Sequence, residues 1–406
     1  MSGILEGLRV VEMGHWVAVP SACAVLADWG AEVIKIEPLT GESARGLRQL
    51  GEQTGDLFFN GVPVNWRIEL HNRGKRGLAV DAIHESGREI ICKLARWADV
   101  FMTNYELESL TRLRLDYARL SQENPKLIYA LLTGYGTKGP DKDERGFDYA
   151  AAWAHSGIQF LLGEPGSPPP PPRGGMMDRT AGFQMLAGIM AALLHREKTG
   201  EGQELHVSLY HTGVWTLAAD IEAALLGVPL PKYERHKIKN PLANLYRTKD
   251  DRWIQMIMLQ SDLQWHGFCR AIGKPELEND PRFNNMLARA VHCEELISLL
   301  DAIFATRTLA EWEPLLRENK CIFSRIQTPA EVTTDPQAAI NGFFSTIPHP
   351  VAQELKLVNS PVHFQQNPAR IKSHAPEIGQ HTEEVLLEIG YSWEDIARLK
   401  EERTIL

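Results

Sequence analysis

The sequence has few of the features that mark secreted, metal-binding or membrane-spanning chains. Its 406 residues include only five cysteines, an odd and scattered set without a CxxC or Cys/His spacing. Such a set predicts free thiols rather than disulfides, and no metal site. No run of about 20 apolar residues occurs, so neither a membrane span nor a membrane partner is expected. The opening residues lack a basic stretch followed by an apolar one, which predicts no signal peptide and favours the cytoplasm.

Positive charge is also scarce. The chain carries 43 lysines and arginines against 52 aspartates and glutamates, a formal net charge of −9. Nucleic acid is therefore not an expected partner, because phosphate backbones are bound by basic faces. A local basic cleft for a small polyphosphate remains compatible with this balance. The composition, 44% hydrophobic and 23% charged, is that of a globular protein whose length favours two domains.

The first half of the chain alternates between strand and helix patterns. Short apolar segments predict strands at 9–13, 31–37, 77–81, 99–104, 126–134 and 204–210. Helical patterns lie between them, at about 85–97, 107–120, 146–163 and 179–195. This repetition predicts an α/β fold with a parallel, doubly wound sheet. Ligands of such sheets bind beyond the carboxyl ends of the strands.

After Gly227 the pattern changes. Residues 242–258 predict an antiparallel hairpin that turns at 249–251, and amphipathic helices follow it to about Lys320. These elements indicate a smaller α+β domain. The chain closes with an amphipathic helix pair at 381–400.

The segment GGMMDRTAG (174–182) places an aspartate, Asp178, immediately before the long apolar helix expected from Arg179 to His195. Aspartate is a favoured N-cap residue, so helix capping is one explanation of its position. The alternative is a carboxylate nucleophile, which the helix dipole would keep ionised. The spacing alone leaves both explanations open.

Several distinctive blocks follow one another along nearly the whole chain. They are GLRVVEMGHWVAVPSACAVLADWGAEVIKIEP, NRGKRGLAVD, the Asn104-Tyr105 pair, LTGYGTKGPDKDERGFDYAAAWAHSG, the D-x-x-x-G at 178–182, HREKTGEGQELHVSLY and GQHTEEVLLEIGYSWEDI. In this order they resemble the family III CoA-transferases. The GYGTKGPDKD and NPLANLYRTKDD segments are most similar to the branch that acts on 2-hydroxy acids and their enoyl-CoA forms, such as phenyllactate and 2-hydroxyisocaproate.

The resemblance implies a covalent mechanism. Asp178 matches the aspartate that attacks a donor thioester to give a mixed anhydride, which CoA converts to an aspartyl-CoA thioester. Val17 and Ala18 match a loop beside the thioester, and Asp148 matches an acidic position near the nucleophile. The alternative for Asp148 is a cap for the helix that begins there. CoA and acyl-CoA are substrates in this scheme, and no permanently bound cofactor is expected.

CoA requires cations for its phosphates and backbone contacts for its pantetheine arm. The resemblance assigns CoA binding to five positions, which are Arg76, Asn104, Tyr105, Arg112 and Arg145. Arginine suits this task because its guanidinium contacts phosphate at two points. Each arginine by itself is more often a solvated surface charge, but together, at the strand ends of a parallel sheet, they indicate a phosphate cleft. His15 and His155 are further candidates for acid–base chemistry, although a transferase of this kind requires no proton shuttle.

Two positions depart from the oxalate and formate members of the family. Those members carry a glutamine where this chain has Val17, and a phosphate-binding arginine can stand where this chain has Pro38. Backbone N–H groups near Val17, Ala18 or Arg179 are therefore the expected oxyanion donors. The apolar Val17, with Trp16 and Trp153 nearby in the sequence blocks, favours an acyl group bulkier and less polar than oxalate.

The resemblance also implies an interlocked homodimer. Its large Rossmann-like domain would comprise residues 1–227 and a returning C-terminal segment, 328–406, and its small α+β domain would comprise 228–327. The expected partners are an acyl-CoA, a free carboxylic acid and a second copy of the chain.

Two other functions remain open. The same fold occurs in α-methylacyl-CoA racemases, whose histidine base falls where this chain has Phe147, which argues against a racemase. The third possibility is a CoA-binding protein without turnover. A protein that only binds CoA has no use for a nucleophile at Asp178.

Overall fold

The computed structural model describes residues 3–46, 57–59 and 62–406. By their contacts the chain divides into two compact units. The first unit comprises Met1–Gln159, Pro171–Val228 and Ala339–Leu406, and the second comprises Phe160–Pro170 and Pro229–Ala338.

The unit boundaries differ from the expected ones at two segments. Residues 160–170 belong to the second unit, where a Glu164 carboxylate oxygen accepts the N–H of Arg235 at 3.2 Å. Residues 328–338 also belong to the second unit, because Glu331 forms a two-point ion pair with Arg252 at 2.8 and 2.9 Å. Both contacts join positions that are far apart in the sequence.

The strands fall into four sheets. They are β1 (Arg9–Met13), β2 (Glu32–Glu37), β3 (Leu57–Phe59), β4 (Val62–Val64), β5 (Arg76–Ala79), β6 (Val100–Thr103), β7 (Ile128–Thr133), β8 (Gln203–Ser208), β9 (Leu245–Arg247), β10 (Trp253–Met256), β11 (Phe323–Arg325), β12 (Phe344–His349) and β13 (Gln353–Val358).

The α-helices are distributed over both units. They are α1 (Ala18–Asp28), α2 (Trp66–Asn72), α3 (Glu85–Trp97), α4 (Leu107–Leu113), α5 (Tyr117–Glu123), α6 (Ile158–Leu161), α7 (Met176–Thr199), α8 (Leu209–Thr216), α9 (Ala218–Leu225), α10 (Ser261–Ala271), α11 (Met286–Val291), α12 (Cys293–Phe304), α13 (Leu309–Glu318), α14 (Pro329–Thr334), α15 (Pro336–Ile340), α16 (Thr382–Glu388) and α17 (Trp393–Glu401). A π-helix spans Asp148–Ala154.

The first unit is built on a six-stranded sheet in the order β5-β2-β1-β6-β7-β8. All five pairings are parallel, which confirms the predicted parallel sheet. The chain adds β2 and β5 on one side of β1 and then β6, β7 and β8 on the other. The strand order therefore reverses between β1 and β6, and this is the point at which such sheets bind ligands.

Side chains of the central strands alternate between two cores. In β7, Ile128 and Ala130 pack with α1 and α7 residues on one face of the sheet. Tyr129 and Leu131 pack with α3, α16 and α17 residues on the other face. Successive side chains of a strand point to opposite faces, so an apolar run such as this one is buried on both sides.

Two predicted helices are different in the structure. The helix expected over 107–120 is interrupted at Arg114, which has a left-handed φ of 57°, and a new helix, α5, begins after the capping residue Asp116. The helix expected over 146–163 is the π-helix followed by the short α6. A regular apolar pattern does not distinguish an α-helix from a π-helix or from two short helices.

The second unit contains a three-stranded antiparallel sheet in the order β11-β10-β9. Its hairpin turns where predicted, with Asp251 in the left-handed region at φ 59°. Helices α10, α12 and α13 pack on an aromatic core that includes Trp312, Phe268 and Phe304.

All five cysteines are free thiols, and only Cys321 is partly exposed. Within residues 3–46, 57–59 and 62–406, no helix has the length and apolar character needed to cross a bilayer.

Candidate active site

A cavity of about 400 Å³ opens at the carboxyl ends of the central strands of the first unit. Residues that follow β1, β6 and β7 line it, together with the start of α7. Among them are His15, Trp16, Ala18, Asn104, Tyr105, Gly134, Lys142, Arg145, Phe147 and Asp178. The cavity therefore lies at the reversal of strand order, where the sequence pattern predicted ligand binding.

Asp178 lies in the first turn of α7, and it is not a capping residue. The helix begins at Met176, earlier than expected, and its N-cap is Gly175 with a φ of 79°. The capping explanation for Asp178 is therefore wrong. No residue in the described part of the chain donates a hydrogen bond to its carboxylate, which is half-buried and lines the cavity.

Burial raises the pKa of Asp178 to about 7, and the like charge of Asp148 adds to this shift. The neighbouring Arg179 guanidinium acts in the opposite direction. Burial favours the neutral form of any carboxyl, whereas a nearby cation favours the charged form. A pKa near 7 divides Asp178 between its two protonation states at neutral pH.

Asp148 caps the helix that carries Asp178. The residue is 3% exposed, and its Oδ2 accepts the backbone N–H of Gly175 at 2.7 Å. Burial raises the pKa of Asp148, and the backbone N–H groups of Gly175, Tyr149 and Met177 and the charge of Arg179 only partly oppose this shift. The π-helix that begins at Asp148 has Phe147 as its N-cap, so the alternative explanation, that Asp148 caps its own helix, is not observed.

A glycine allows α7 to approach α1 closely. A Cβ atom on Gly182 would lie 2.9 Å from the backbone oxygen of Ala18. Gly182 is the glycine of the D-x-x-x-G motif, one helical turn after Asp178, so the motif brings the start of α7 against the start of α1. Ala18 lines the cavity, whereas Val17 lies against Gly175 outside the cavity lining.

The loop after β1 is held in a strained conformation. Trp16 has a φ of 69°, a left-handed value that is uncommon for a bulky residue. Its N–H donates to Glu42 Oε2 at 2.8 Å. The other Glu42 oxygen lies 3.0 Å from the ammonium of Lys35, which also contacts Glu12 at 2.8 Å. This loop therefore rests on a buried network of charged groups.

The sequence contained a signal for this network. Lys35 lies between two isoleucines in the buried strand β2, where a charge must be paired. Burial lowers the pKa of the Lys35 ammonium, but Glu12 and Glu42 outweigh burial and raise it above its ordinary value. Lys75 completes the network at 2.5 Å from the second Glu12 oxygen.

Asn104 joins the loops after β1 and β6. Its side-chain oxygen accepts the N–H of His15 at 3.0 Å, and its amide donates to the His15 carbonyl at 2.9 Å. The His15 ring packs on Tyr105 with a centroid separation of 5.2 Å. Burial lowers the pKa of His15. His15, Asn104 and Tyr105 thus form one wall of the cavity.

The three predicted CoA-binding arginines occupy different environments. Arg145 lines the cavity and forms an exposed ion pair with Glu106 at 3.2 Å. Arg112 is exposed on α4, where it contacts Ser109 at 3.3 Å, and it does not line the cavity. Lys142, which the sequence did not single out, lines the cavity beside Arg145.

Arg76 lies at the amino end of the edge strand β5, whereas the cavity is at the carboxyl ends of β1, β6 and β7. Its guanidinium forms ion pairs with Glu32, Glu384 and Glu388, the last two at 2.8 Å. These carboxylates accept the hydrogen bonds that the Arg76 guanidinium donates. The position of Arg76 therefore does not support the prediction that it binds CoA.

Glu69, His349 and His374 form a cluster whose ligand atoms lie within 4.8 Å of one another. His349 Nδ1 accepts the backbone N–H groups of Val351 and Ala352, at 3.2 and 3.0 Å. A neutral His349 ring therefore carries its proton on Nε2, which faces Glu69 at 3.4 Å. A metal-binding imidazole needs an unprotonated nitrogen at that position, so the geometry fits a hydrogen-bonded cluster.

Comparisons with known proteins agree with this architecture. The model of CoA-transferase family III matches residues 5–382. The (R)-2-hydroxy-4-methylpentanoate CoA-transferase of Clostridioides difficile is 35% identical over 99% of both chains. The cinnamoyl-CoA:phenyllactate CoA-transferase of Clostridium sporogenes is 32% identical over 100% of this chain and 98% of its own.

A crystal structure of a CAIB/BAIF family protein from Brucella suis superposes with a TM-score of 0.83. It shares 27% sequence identity and covers 96% of this chain and 100% of its own. The family model and the full-length relatives both identify the chain: it belongs to CoA-transferase family III, and it is an enzyme of this transferase family.

Proposed function

We propose that this protein moves CoA from an acyl-CoA thioester to a free carboxylic acid, with Asp178 carrying the covalent intermediates. The observation that carries the proposal is the state of Asp178. It is a half-buried carboxylate in the cavity, and among the described residues none donates a hydrogen bond to it. Because Asp148 caps α7, the Asp178 oxygens remain available for attack.

In the proposed reaction, the free energy of the thioester bond is retained in each covalent intermediate. An Asp178 oxygen attacks the donor carbonyl carbon, CoA thiolate leaves, and a mixed anhydride forms. The thiolate then attacks the Asp178 carbonyl and releases the donor acid, which leaves an aspartyl-CoA thioester. The acceptor carboxylate attacks this thioester to form a second anhydride and release the thiolate. Attack of the thiolate on the acceptor carbonyl gives the new acyl-CoA and regenerates Asp178.

Each step forms a tetrahedral oxyanion that requires hydrogen-bond donors. The first-turn amides of α1 have no side-chain cap, and Ala18 lies at the cavity wall. We assign the oxyanion contacts to the N–H groups of Ala18 and Val19, since Pro20 has no N–H. A helix N-terminus also favours the negative charge that develops there.

The cavity supports an acyl group with substantial apolar surface. Trp16 and Phe147 pack edge to face with ring centroids 5.7 Å apart, and both line the cavity with Asp178. Leu132 and Leu209 add apolar surface to the lining. A medium-sized 2-hydroxy or enoyl acid, of the kind named in the relatives from Clostridioides difficile and Clostridium sporogenes, is the proposed substrate class.

For CoA, the geometry favours Arg145 and Lys142 as phosphate contacts. Both line the cavity, whereas Arg112 does not and stays a prediction from the resemblance. Asn104 and Tyr105 are proposed to contact the pantetheine arm, because they form the wall between the loops after β1 and β6.

Self-association is part of the proposal. Helix α9 has no buried residue although most of its side chains are apolar. Nearby, Trp215, Leu225 and Leu226 are 70%, 74% and 80% exposed. A second copy of the chain would cover such an apolar surface, as in the predicted interlocked homodimer. The cytoplasmic location stays a prediction from the sequence.

A racemase is the second candidate, and one residue weighs against it. Its two bases must flank the substrate Cα, and the position expected for the histidine is Phe147, a residue that is 54% exposed. A binding protein without turnover is the third candidate. It would have no need for a carboxylate whose pKa is raised to about 7 in a cavity.

The deciding experiment incubates the purified protein with a panel of acyl-CoAs and candidate acids, including aromatic and branched 2-hydroxy acids. Mass spectrometry detects each new acyl-CoA. We expect transfer by the wild type and none by Asp178→Asn. Glu294→Gln is the matched control, since Glu294 also lies in the first turn of a helix, α12, but not in the cavity.

The other outcomes separate the alternatives. Deuterium entering Cα of an acyl-CoA from solvent, without CoA transfer, would establish the racemase. A binding role would remain if the wild type and Asp178→Asn bind CoA equally and neither transfer nor racemisation occurs with any member of the panel. Transfer by Asp178→Asn at the wild-type rate would exclude Asp178 as the nucleophile.

A further inference from the structure

Two acceptors on different segments hold the guanidinium of Arg179. Nη1 donates to the backbone oxygen of Gly175 at 2.9 Å. Nη2 lies 3.1 Å from Nε2 of His71, which is in the last turn of α2 and is 4% exposed. Arg179 directly follows Asp178, so these contacts fix the position of a cation in the same helix turn as the proposed nucleophile.

The His71 contact works only in one protonation state. Burial lowers the pKa of His71 well below its ordinary value, and the surrounding cations lower it further. These cations are Arg179, Lys75, Arg73 and Lys35. The ring is therefore neutral. Because a guanidinium has only donors, Nε2 must be the unprotonated nitrogen that accepts from Arg179.

Two hydrogen bonds hold the backbone of Gly175, the N-cap of α7, on both sides of its Cα. The Gly175 N–H is held by Asp148 at 2.7 Å, and the Gly175 carbonyl is held by Arg179 at 2.9 Å. His71, in α2, contacts Nη2, the other terminal nitrogen of the same guanidinium. The first turn of α7, and with it the backbone of Asp178, is thereby fixed from two sides.

The charges that face Asp178 come from several elements. Asp148 raises its pKa and Arg179 lowers it. The other titratable groups that line the same cavity are His15, Tyr105, Glu106, Glu108, Lys142, Asp143, Glu144 and Arg145. Among these groups, Arg179 is the cation in the same helix turn as Asp178, and its guanidinium is the group that contacts His71.

We propose that His71 is a positioning residue: through its contact with Arg179 it fixes where that guanidinium lies relative to the Asp178 carboxylate in the same helix turn. The catalytic meaning of this role depends on the proposed transferase function. Its effect on the protonation of Asp178 does not, because that effect requires no substrate.

The test measures the protonation of Asp178 directly. Carbodiimide-mediated coupling of an amine begins at the protonated carboxyl, so its pH dependence reports the pKa. Coupling at Asp178 is quantified by peptide mass spectrometry from pH 5 to 9 and normalised to exposed carboxylates of the same digest. The variants are His71→Leu, which removes the acceptor, and His71→Gln, which can retain one. His349→Gln is the control, because His349 is similarly buried but does not contact Arg179.

We expect a wild-type midpoint near pH 7. His71→Leu should raise this midpoint by about half a pH unit or more, because a loosely held cation stabilises the carboxylate less. His71→Gln should return it toward the wild-type value, and His349→Gln should leave it unchanged. An unchanged midpoint in a natively folded His71→Leu protein would overturn the proposal and leave His71 as a packing residue.

A second variant decides if His71→Leu does not fold. Arg179→Lys keeps the charge but cannot reproduce the planar two-point contact with Gly175 and His71. The proposal expects the midpoint to rise, and a wild-type midpoint would contradict it. Because coupling needs no acyl-CoA, these outcomes are independent of whether the wild type transfers CoA.

Discussion

The carboxylate of Asp148 accepts the N–H of Gly175 at 2.7 Å and lies at the N-terminus of the helix that carries Asp178. Asp148 and Asp178 thus have separate roles, one at the helix cap and one in the cavity, and the sequence pattern did not assign these roles. Asp148 accepts the N–H of the N-cap residue Gly175, and Asp178, in the first turn, faces the cavity. The helix dipole favours both carboxylates, but burial raises the pKa of each.

Replacing Asp148 by asparagine should lower the pKa of Asp178. The substitution removes a like charge while keeping an oxygen that can accept the Gly175 N–H. The pH profile of kcat/KM should therefore move to lower pH, and kcat should fall about tenfold because a neutral acceptor holds the turn less firmly.

The control for this prediction is Asp148→Ala. It removes the charge and also leaves the Gly175 N–H without its acceptor, so it should additionally lower the free energy of unfolding by about 1–3 kcal/mol. A profile that stays in place in Asp148→Asn would show that the two carboxylates are not coupled.

Asp178→Asn should stabilise the protein at alkaline pH. The pKa of Asp178 is raised from 3.8 to about 7 by folding, so the folded state binds this proton more tightly than the unfolded state. Stability from this group is full below about pH 4 and is lost as the pH rises toward 7. At pH 8 the variant should gain about 1–3 kcal/mol, allowing for partial solvent screening.

Urea unfolding at pH 5 and at pH 8 measures this difference. The advantage of Asp178→Asn over the wild type should be smaller at pH 5. A constant difference at both values would mean that folding does not shift the pKa of Asp178.

Transfer activity should rise with pH through a midpoint of about 7. The protonated carboxyl is not a nucleophile, so the active fraction of the free enzyme grows as Asp178 ionises. The measurement is kcat/KM from pH 5.5 to 8.5 with a donor and acceptor found in the mass-spectrometric panel. A flat profile over this range would contradict the raised pKa.

Lys35→Met should destabilise the protein strongly. Lys35 is fully buried between Glu12 and Glu42, and its removal leaves two buried carboxylates without their shared cation. Breaking a buried ion pair in this way costs about 3–5 kcal/mol. Arg76→Met is the comparison, since its three carboxylate partners are 44–56% exposed, and it should cost less than about 1 kcal/mol.

Arg145 and Arg76 should differ in their effect on CoA binding. Arg145→Met should raise the KM for acyl-CoA several-fold, because Arg145 lines the cavity and a phosphate contact is charge-assisted. Arg76→Met should leave this KM near the wild-type value. An equal rise in both variants would restore the CoA-binding role that the resemblance assigned to Arg76.

The sheet of the first unit could be predicted from the sequence because each strand is short, apolar and separated by a helical pattern. Val10 and Val11, for example, face opposite cores, as an apolar run in a parallel sheet requires. Local propensity and periodicity are sufficient for such elements. The predicted strands at 9–13 and 126–134 are confirmed as β1 and β7.

The division of tasks between Asp148 and Asp178 could not be predicted. The hydrogen bond from Gly175 to Asp148 spans 27 positions, and no periodic pattern reports it. For the same reason the sequence could not show that Arg76 is engaged, since two of its partners lie more than 300 positions away. Long-range pairing decides which charged groups remain available for a ligand.

The free cysteines also have a chemical consequence. Thiolates attack thioesters and anhydrides, so an exposed, acidic cysteine would divert an activated acyl group onto the protein. Burial raises the pKa of Cys23 well above its ordinary value, and it raises those of Cys269 and Cys321 to about 12 and about 11. At neutral pH these sulfurs stay protonated and poorly nucleophilic. The anhydride proposed at Asp178 would therefore not lose its acyl group to these three thiols.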